Sequence, residues 1–250
     1  ASNGKFSAYS RPASARMPDA WTLHATAQIR EVRATTPAEA AHVAKVPAAP
    51  DGIPETRQGV RPLDFSLMFF ASSDDSERGD KYRLVIEGAR FADAHGFSSV
   101  WVPERHFGKW GCLYPNPSVL HAAIARETSR IRLRAGSVVL PLHNPLRIAE
   151  EWSVVDNLSN GRVDLSFASG WNPTDFAFAP EKYATRHDEV FTGIELVKRL
   201  WKGESVPVKT GDGRTTDVRV YPTPVQPDVN IWVTAAGNPR TFERAGAIGA

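Results

Sequence analysis

Residues 131–168 read IRLRAGSVVLPLHNPLRIAEEWSVVDNLSNGRVDLSFA, and they hold one complete strand–helix–strand unit. Ile131–Val139 and Val163–Ala168 are short runs of apolar and β-branched residues bounded by turn formers, the composition of strands. Between them, Asn144 and Pro145 make a helix start. An Asn side chain can cap the first turn, and proline at the first helical position lacks only an N–H that would be orphaned there anyway. Ile148, Trp152 and Val155 then share one helical face, and Ser159-Asn160-Gly161 stops the helix. Two strands joined through a helix of this length run parallel.

The same alternation extends in both directions. Asp64–Phe70, Ser98–Val102 and Ile231–Ala235 bring the expected parallel strands to five. Lys81–His95 carries Tyr82, Val85, Ala89 and Ala92 at helical spacing before Gly96, and His187–Trp201 carries Phe191, Ile194 and Val197 before Gly203. Val206–Val208 and Val218–Tyr221 flank Thr210-Gly-Asp-Gly213, which predicts a small peripheral β-hairpin. The fold class is therefore α/β, of the (β/α)8 TIM-barrel type. Eight strands close such a barrel, so the chain is expected to stop short of closure, after about the fifth βα unit.

Residues 1–62 differ from the rest. They contain fourteen alanines and seven prolines but few large aliphatic residues, a composition that buries little and reads as a linker or the remnant of a preceding domain. Within them Trp21–Ile29 alternates like a strand, and Pro37–Lys45 has the content of a short helix. The boundary is placed near Arg61-Pro62, with the barrel domain over residues 63–250.

Bulk properties exclude some classes of function. With 42% hydrophobic and 23% charged residues, the 250-residue chain can bury a sizeable core. Thirty basic residues stand against twenty-eight acidic, a net charge of +2 with no dense basic block, which gives no electrostatic case for nucleic acid or membrane partners. Cys112 is the single cysteine. It rules out an internal disulfide, argues against a cysteine metal site, and fits a reducing, cytoplasmic setting. No apolar run has the length of a membrane span, and no signal-peptide layout opens the sequence.

Four segments carry a family resemblance: Ser99-Val-Trp-Val-Pro-Glu-Arg-His-Phe107, Ala135-Gly-Ser-Val-Val-Leu-Pro-Leu-His-Asn-Pro145, Asp156-Asn-Leu-Ser-Asn-Gly-Arg162 and Ser169-Gly170-Trp171. In this order and at this spacing they resemble the bacterial luciferase-like flavin-dependent monooxygenases, over about residues 63–250. Phe65-Ser-Leu-Met-Phe-Phe-Ala-Ser72 and Trp232-Val-Thr-Ala-Ala-Gly-Asn-Pro239 are similar to the branch embedded in polyketide and nonribosomal-peptide synthases. The resemblance implies reduced FMN as cofactor, a flavin reductase and an acyl or peptidyl carrier protein as partners, a small acyl substrate, and a homodimer.

Catalytic groups of such a barrel lie where strands end and loops begin, and Glu104-Arg105-His106 directly follows a predicted strand. Oxygen chemistry on a reduced flavin needs a dry pocket and one or two groups that can share a proton, a role for Glu104 and His106. The alternative is structural, with Glu104 paired to Arg105 or Arg147 and His106 satisfying a loop carbonyl. The family's namesake has Glu-His-His-Phe here, so Arg105 stands where its base stands. An arginine cannot act as a base near neutral pH, which gives Arg105 an orienting role and leaves the acid–base role to His106.

For the cofactor, the resemblance places Gly136-Ser137 under the flavin ring, often through a non-prolyl cis peptide; a bulge or turn without a ligand is the alternative. Gly237-Asn238-Pro239 and Thr241 open a helix whose N–H groups could hold a phosphate, or Asn238 simply caps that helix. Arg186 aligns with a phosphate-contacting arginine, whereas Ser169 replaces a second one. Trp171, Trp110, Phe107 and Met68 fall near strand ends, where they either wall the pocket or pack the core. Two readings compete with oxygenation: hydride transfer with a deazaflavin on the same barrel, and a non-catalytic, truncated domain.

Overall fold

The computed structural model describes residues 63–71, 80–109, 111 and 113–250. The chain divides into two units, Ala1–Pro62 and Leu63–Ala250, and the described residues all belong to the second. The strand-like Trp21–Ile29, the helical Pro37–Lys45, Ser72, Trp110 and Cys112 lie outside the described residues.

Elements follow in the order β1 (Ser66–Met68), α1 (Arg83–Ala94), β2 (Ser99–Val102), α2 (Pro117–Glu127), β3 (Arg132–Val139), α3 (Pro145–Ser159), β4 (Val163–Ala168), α4 (Arg186–Trp201), β5 (Val206–Lys209), β6 (Thr215–Val218), β7 (Asn230–Val233) and α5 (Pro239–Ala247). Short 3-10 turns follow β3 and β4. The main sheet has the order β1-β2-β3-β4-β7, and every neighbouring pair is parallel. Each new strand adds on the same side, as in a TIM-type barrel and unlike a doubly wound sheet, whose order reverses at a switch point.

Alternation along the strands gives the sheet two different faces. Leu67, Val100, Val102, Leu133, Ala135, Val163, Leu165 and Phe167 pack with Val85 and Ala89 of α1, Ile124 of α2, Ile148, Trp152 and Val155 of α3, and Ile194 and Val197 of α4. The opposite face is polar and cross-linked. Asp164 accepts from Arg132 Nε (2.9 Å), Arg134 Nε (2.6 Å) and Asn230 Nδ2 (2.9 Å), and Arg134 also donates to Ser99 Oγ at 3.1 Å. The Arg134 guanidinium lies 5.2 Å from the Trp101 ring and 4.9 Å from that of Trp232. The two arginines and Asn230 outweigh the burial of Asp164 and hold its carboxyl below the usual range.

The expected strands and helices are present, with shifts of a residue or two at several ends and four differences that bear on the fold. The first strand is confined to the three residues that find partners on β2, Ser66 to Ser99, Leu67 to Val100 and Met68 to Trp101, rather than Asp64–Phe70. The last begins at Asn230 and ends at Val233, earlier than Ile231–Ala235. The second hairpin strand is Thr215–Val218, not Val218–Tyr221. Thr210 N–H bonds Arg214 O at 2.8 Å and closes a tight turn, so pairing resumes at once at Thr215 and is complete when Val206 meets Val218. Helix α2 was not anticipated, although Asn116-Pro117 repeats the start signal of α3 and Asn116 Oδ1 accepts from the N–H groups of Ser118 and Val119.

Candidate active site

The carboxyl ends of the parallel strands gather the polar groups. After β2 the chain tucks Glu104 inward, leaving it 4% exposed. Its Oε2 accepts the Val139 N–H at 2.7 Å, and its Oε1 lies 2.7 Å from His106 Nε2 and 2.6 Å from His143 Nε2. Burial alone would push this carboxyl up, but the two imidazoles and the amide outweigh burial and lower it. His143 shifts the other way: burial opposes its charge, the Glu104 carboxylate favours it, and the balance raises its pKa. The alternative partners for Glu104 are not used. Arg147 pairs with Glu150 and Glu151, Arg105 with Asp175, and His106 bonds Glu104 instead of a loop carbonyl.

Arg105 lies between an acid and an indole ring. Its guanidinium is 3.7 Å from Asp175 Oδ2 and 4.8 Å from the centroid of the Trp171 ring. Burial raises the pKa of Asp175, and the nearby Arg105 opposes that shift. His106 meets Phe178 edge-on at 4.9 Å, and Phe107 stands 5.1 Å from Phe178. Phe107, Trp171 and Phe178 are all exposed, as is Met68 on β1, so this end of the sheet has a largely aromatic rim.

Gly136-Ser137 is joined by a cis peptide bond. The β3–β4 register also shifts between Gly136 and Val138, so the bulge considered for this pair exists too. A side chain at Gly136 has no room, because its Cβ would come within 2.8 Å of Trp101. Ser137 and Ser166 both bond Thr234, the latter at 2.8 Å, which makes a cluster of three hydroxyls at the ends of β3, β4 and β7. Ser169 is half-buried, and Gly170 has φ +76°. Arg186 donates to Gly170 O at 3.2 Å and Tyr183 O at 2.7 Å and lies over the Tyr183 ring. No carboxylate among the described residues forms an ion pair with it. Asn238 caps α5 by accepting the Arg240 N–H at 3.1 Å, and Thr241 N–H bonds Asn238 O. Asn238 therefore caps the helix, and the remaining first-turn N–H groups beside Gly237 keep the chemistry of an anion site.

The structure therefore joins Glu104 with His106, Arg105 with Trp171, and Arg186 with Gly170. It also adds residues that the sequence reading passed over: His143, Asp175 and Thr234. His143 had a usable signal, since it precedes an N-cap at the end of a predicted strand, where barrel sites are built. Asp175 offered none, because its partner lies on a different loop. The Arg186 guanidinium, which pairs with no described carboxylate, has the chemistry to hold a flavin phosphate.

Fold and site together define an α/β fold of TIM-barrel type, with five parallel strands added in one direction and polar groups at their carboxyl ends. Residues 63–250 match the family described as luciferase-like monooxygenase, and the chain belongs to that family. It is 32% identical over 184 residues to a flavin-dependent trigonelline monooxygenase, oxygenase component, of Acinetobacter baylyi, which covers 69% of this chain and 48% of that one. An F420-dependent glucose-6-phosphate dehydrogenase of Amycolatopsis mediterranei is 32% identical over 176 residues, 67% of this chain and 51% of its own. The crystal structure of monooxygenase RslO1 from Streptomyces bottropensis superposes with a TM-score of 0.66 at 30% identity, covering 75% of this chain and 58% of that one. The chain spans about half the length of the curated relatives it matches.

Proposed function

We propose that this chain serves an FMN-dependent monooxygenase that uses reduced FMN and molecular oxygen to oxygenate a polyketide or peptide intermediate tethered to a carrier protein. The observation that carries this reading is the buried Glu104 with its two histidines at the carboxyl ends of the strands. It is a preformed acid–base group of the kind that proton transfer next to a dry pocket requires. Bound reduced FMN would supply the two electrons that activate oxygen. With the flavin bound, His106 would exchange the proton, Arg186 would hold the phosphate, Gly136-Ser137 would give the ring room to approach, and Phe107, Trp171 and Phe178 would contact the acyl group. The synthase-branch motifs around Phe65–Ser72 and Trp232–Pro239 support the carrier-tethered substrate. A flavin reductase, a carrier protein, a cytoplasmic setting and a homodimer complete the reading.

The F420-dependent relative favours a second reading, hydride transfer with a deazaflavin and no oxygen. Anaerobic fluorescence titration with reduced FMN and, separately, with reduced deazaflavin discriminates the two. It is followed by admission of ¹⁸O₂ in the presence of an acyl carrier substrate. FMN binding with ¹⁸O in the product is expected. Deazaflavin binding alone would replace oxygenation by hydride transfer, and binding of neither would favour a non-catalytic domain. Glu104→Gln and His106→Asn should each slow oxygenation about a hundredfold or more, the usual scale of a lost proton-transfer group.

A further inference from the structure

Two imidazoles converge on one oxygen of Glu104, and only one belongs to the loop after β2. His143 comes from the turn after β3, its side chain is 30% exposed, and Nε2–Oε1 is 2.6 Å. His106 reaches the same Oε1 at 2.7 Å and is nearly buried, while Oε2 is taken by the Val139 N–H. A neutral carboxyl has one proton and could donate to one ring at most, whereas the ionised form satisfies all three neighbours as donors. Both rings then carry hydrogen on Nε2, and each lone pair, when the ring is neutral, lies on Nδ1. One carboxylate charge serves two rings, and since burial disfavours the charged form, the more exposed His143 is the better placed of the two to carry a compensating proton.

We propose that His143 is a positioning residue: as the cationic partner of Glu104, it keeps that carboxylate ionised and so holds His106 with Nε2–H on Glu104 and Nδ1 as its proton-accepting atom. The charged surroundings agree. Besides Glu104, the groups acting on His143 are Glu151 from α3, which favours its charge, and Lys182 from the turn after β4, which opposes it. Lys182 also donates to the His143 carbonyl at 3.4 Å. On the far side, Asp175 feels Arg105, His106 and Glu104, but Arg105 pairs with it, so the carboxylate that faces both rings is Glu104. His143 therefore acts through Glu104 and need not touch substrate.

The inference rests on the acid–base role given to His106 but is tested without flavin. ¹⁵N-histidine NMR of the 250-residue chain reads the tautomer of each ring across pH. In the unsubstituted protein, His143 should titrate above the ordinary histidine range, with both rings protonated at Nε2. His143→Leu removes donor and charge, and the His106 ring should lose its single tautomer. His143→Gln keeps an N–H donor, and the tautomer should be largely retained. A His143 ring that carries its neutral hydrogen on Nδ1, or a His106 tautomer indifferent to His143→Leu, would overturn the proposal. The first of these needs no variant to fold. Where turnover can be measured, His143→Leu should lower kcat about tenfold and displace the acid limb of its pH profile, with KM little changed. A purely structural residue would not move that limb.

Discussion

At the scale of single residues, histidines divide between the site and the core, and their pH dependences have opposite signs. His121 is fully buried on α2, donates Nδ1–H to Pro117 O at 2.8 Å and packs on Trp152, and burial drops its pKa to about 4. The unfolded chain takes up this proton near pH 6.5 and the folded chain does not, so stability falls as the solution is acidified between those values, by about 2 kcal/mol at pH 5. His143 has a raised value. Its contribution is fully present below the unfolded pKa and is lost as pH rises through the folded one. Glu104 and Asp164 are lowered, so their contributions hold above the carboxylate range and disappear only in stronger acid. Urea unfolding at pH 7 and pH 5 should show the His121 loss set against the opposing His143 gain, and His121→Gln should remove the loss and leave the gain. An unchanged slope in that variant would assign the acid sensitivity elsewhere. Arg186 makes a separate test. Replacement by alanine should weaken reduced-flavin binding about tenfold, the order of a charge-assisted phosphate contact, and equal affinity would remove it from the phosphate site.

At the scale of elements, caps and close approaches decide where each strand hands over to its loop. Helix α3 runs from a proline with an Asn144 cap to Asn160 in the left-handed conformation, as its sequence predicts. The turn after β4 is a tight point beside the site. Gly170 has φ +76°, and a Cβ there would stand 2.8 Å from both Phe176 and Val139. Gly170→Ala therefore meets a backbone penalty and a packed core together and should cost about 2 kcal/mol or more. It should also disturb Arg186, which bonds the Gly170 carbonyl. A thermal melt reads the first effect and flavin titration the second, and a variant with unaltered melting would show that the turn can relax. The hairpin is tied back differently. Asp156 of α3 accepts from the Val225 and Gln226 amides at 2.8 and 2.9 Å and from Gln226 Nε2 at 2.7 Å, so the excursion returns to the sheet at a fixed place.

At the scale of the whole molecule, the described domain joins an aliphatic sheet face covered by helices to a polar face organised around Asp164. That carboxylate holds three strands in register through Arg132, Arg134 and Asn230. Removing only its charge leaves two guanidinium groups facing a neutral amide, and breaking a buried network in this way is costly. Asp164→Asn should destabilise the domain by about 2 kcal/mol, less than for a fully enclosed pair because Arg132 keeps some contact with water. Equilibrium denaturation checks this, and a loss below about 0.5 kcal/mol, the range of ordinary surface changes, would mean that Arg134 is held mainly between Trp101 and Trp232.

The alternation of elements, the Asn-Pro helix starts, the parallel strands and the family were legible in the sequence, because these depend on interactions within a few residues or on motifs read in order. Glu104, Arg105 and His106 were legible as candidates for the same reason: they directly follow a strand. Their partners were not. Glu104 meets His143 across 39 residues, Arg105 turns to Asp175 instead of its sequence neighbour, and Ser137 finds Thr234 across 97. Such pairs exist only once strand register and the order of the sheet bring separate loops to one end of the barrel. The sequence by itself determined the order of strands and helices and the candidates Glu104, Arg105 and His106, which depend on neighbours along the chain, and the tertiary structure alone decided where the first and last strands end and which residues share a proton, a charge or a hydroxyl.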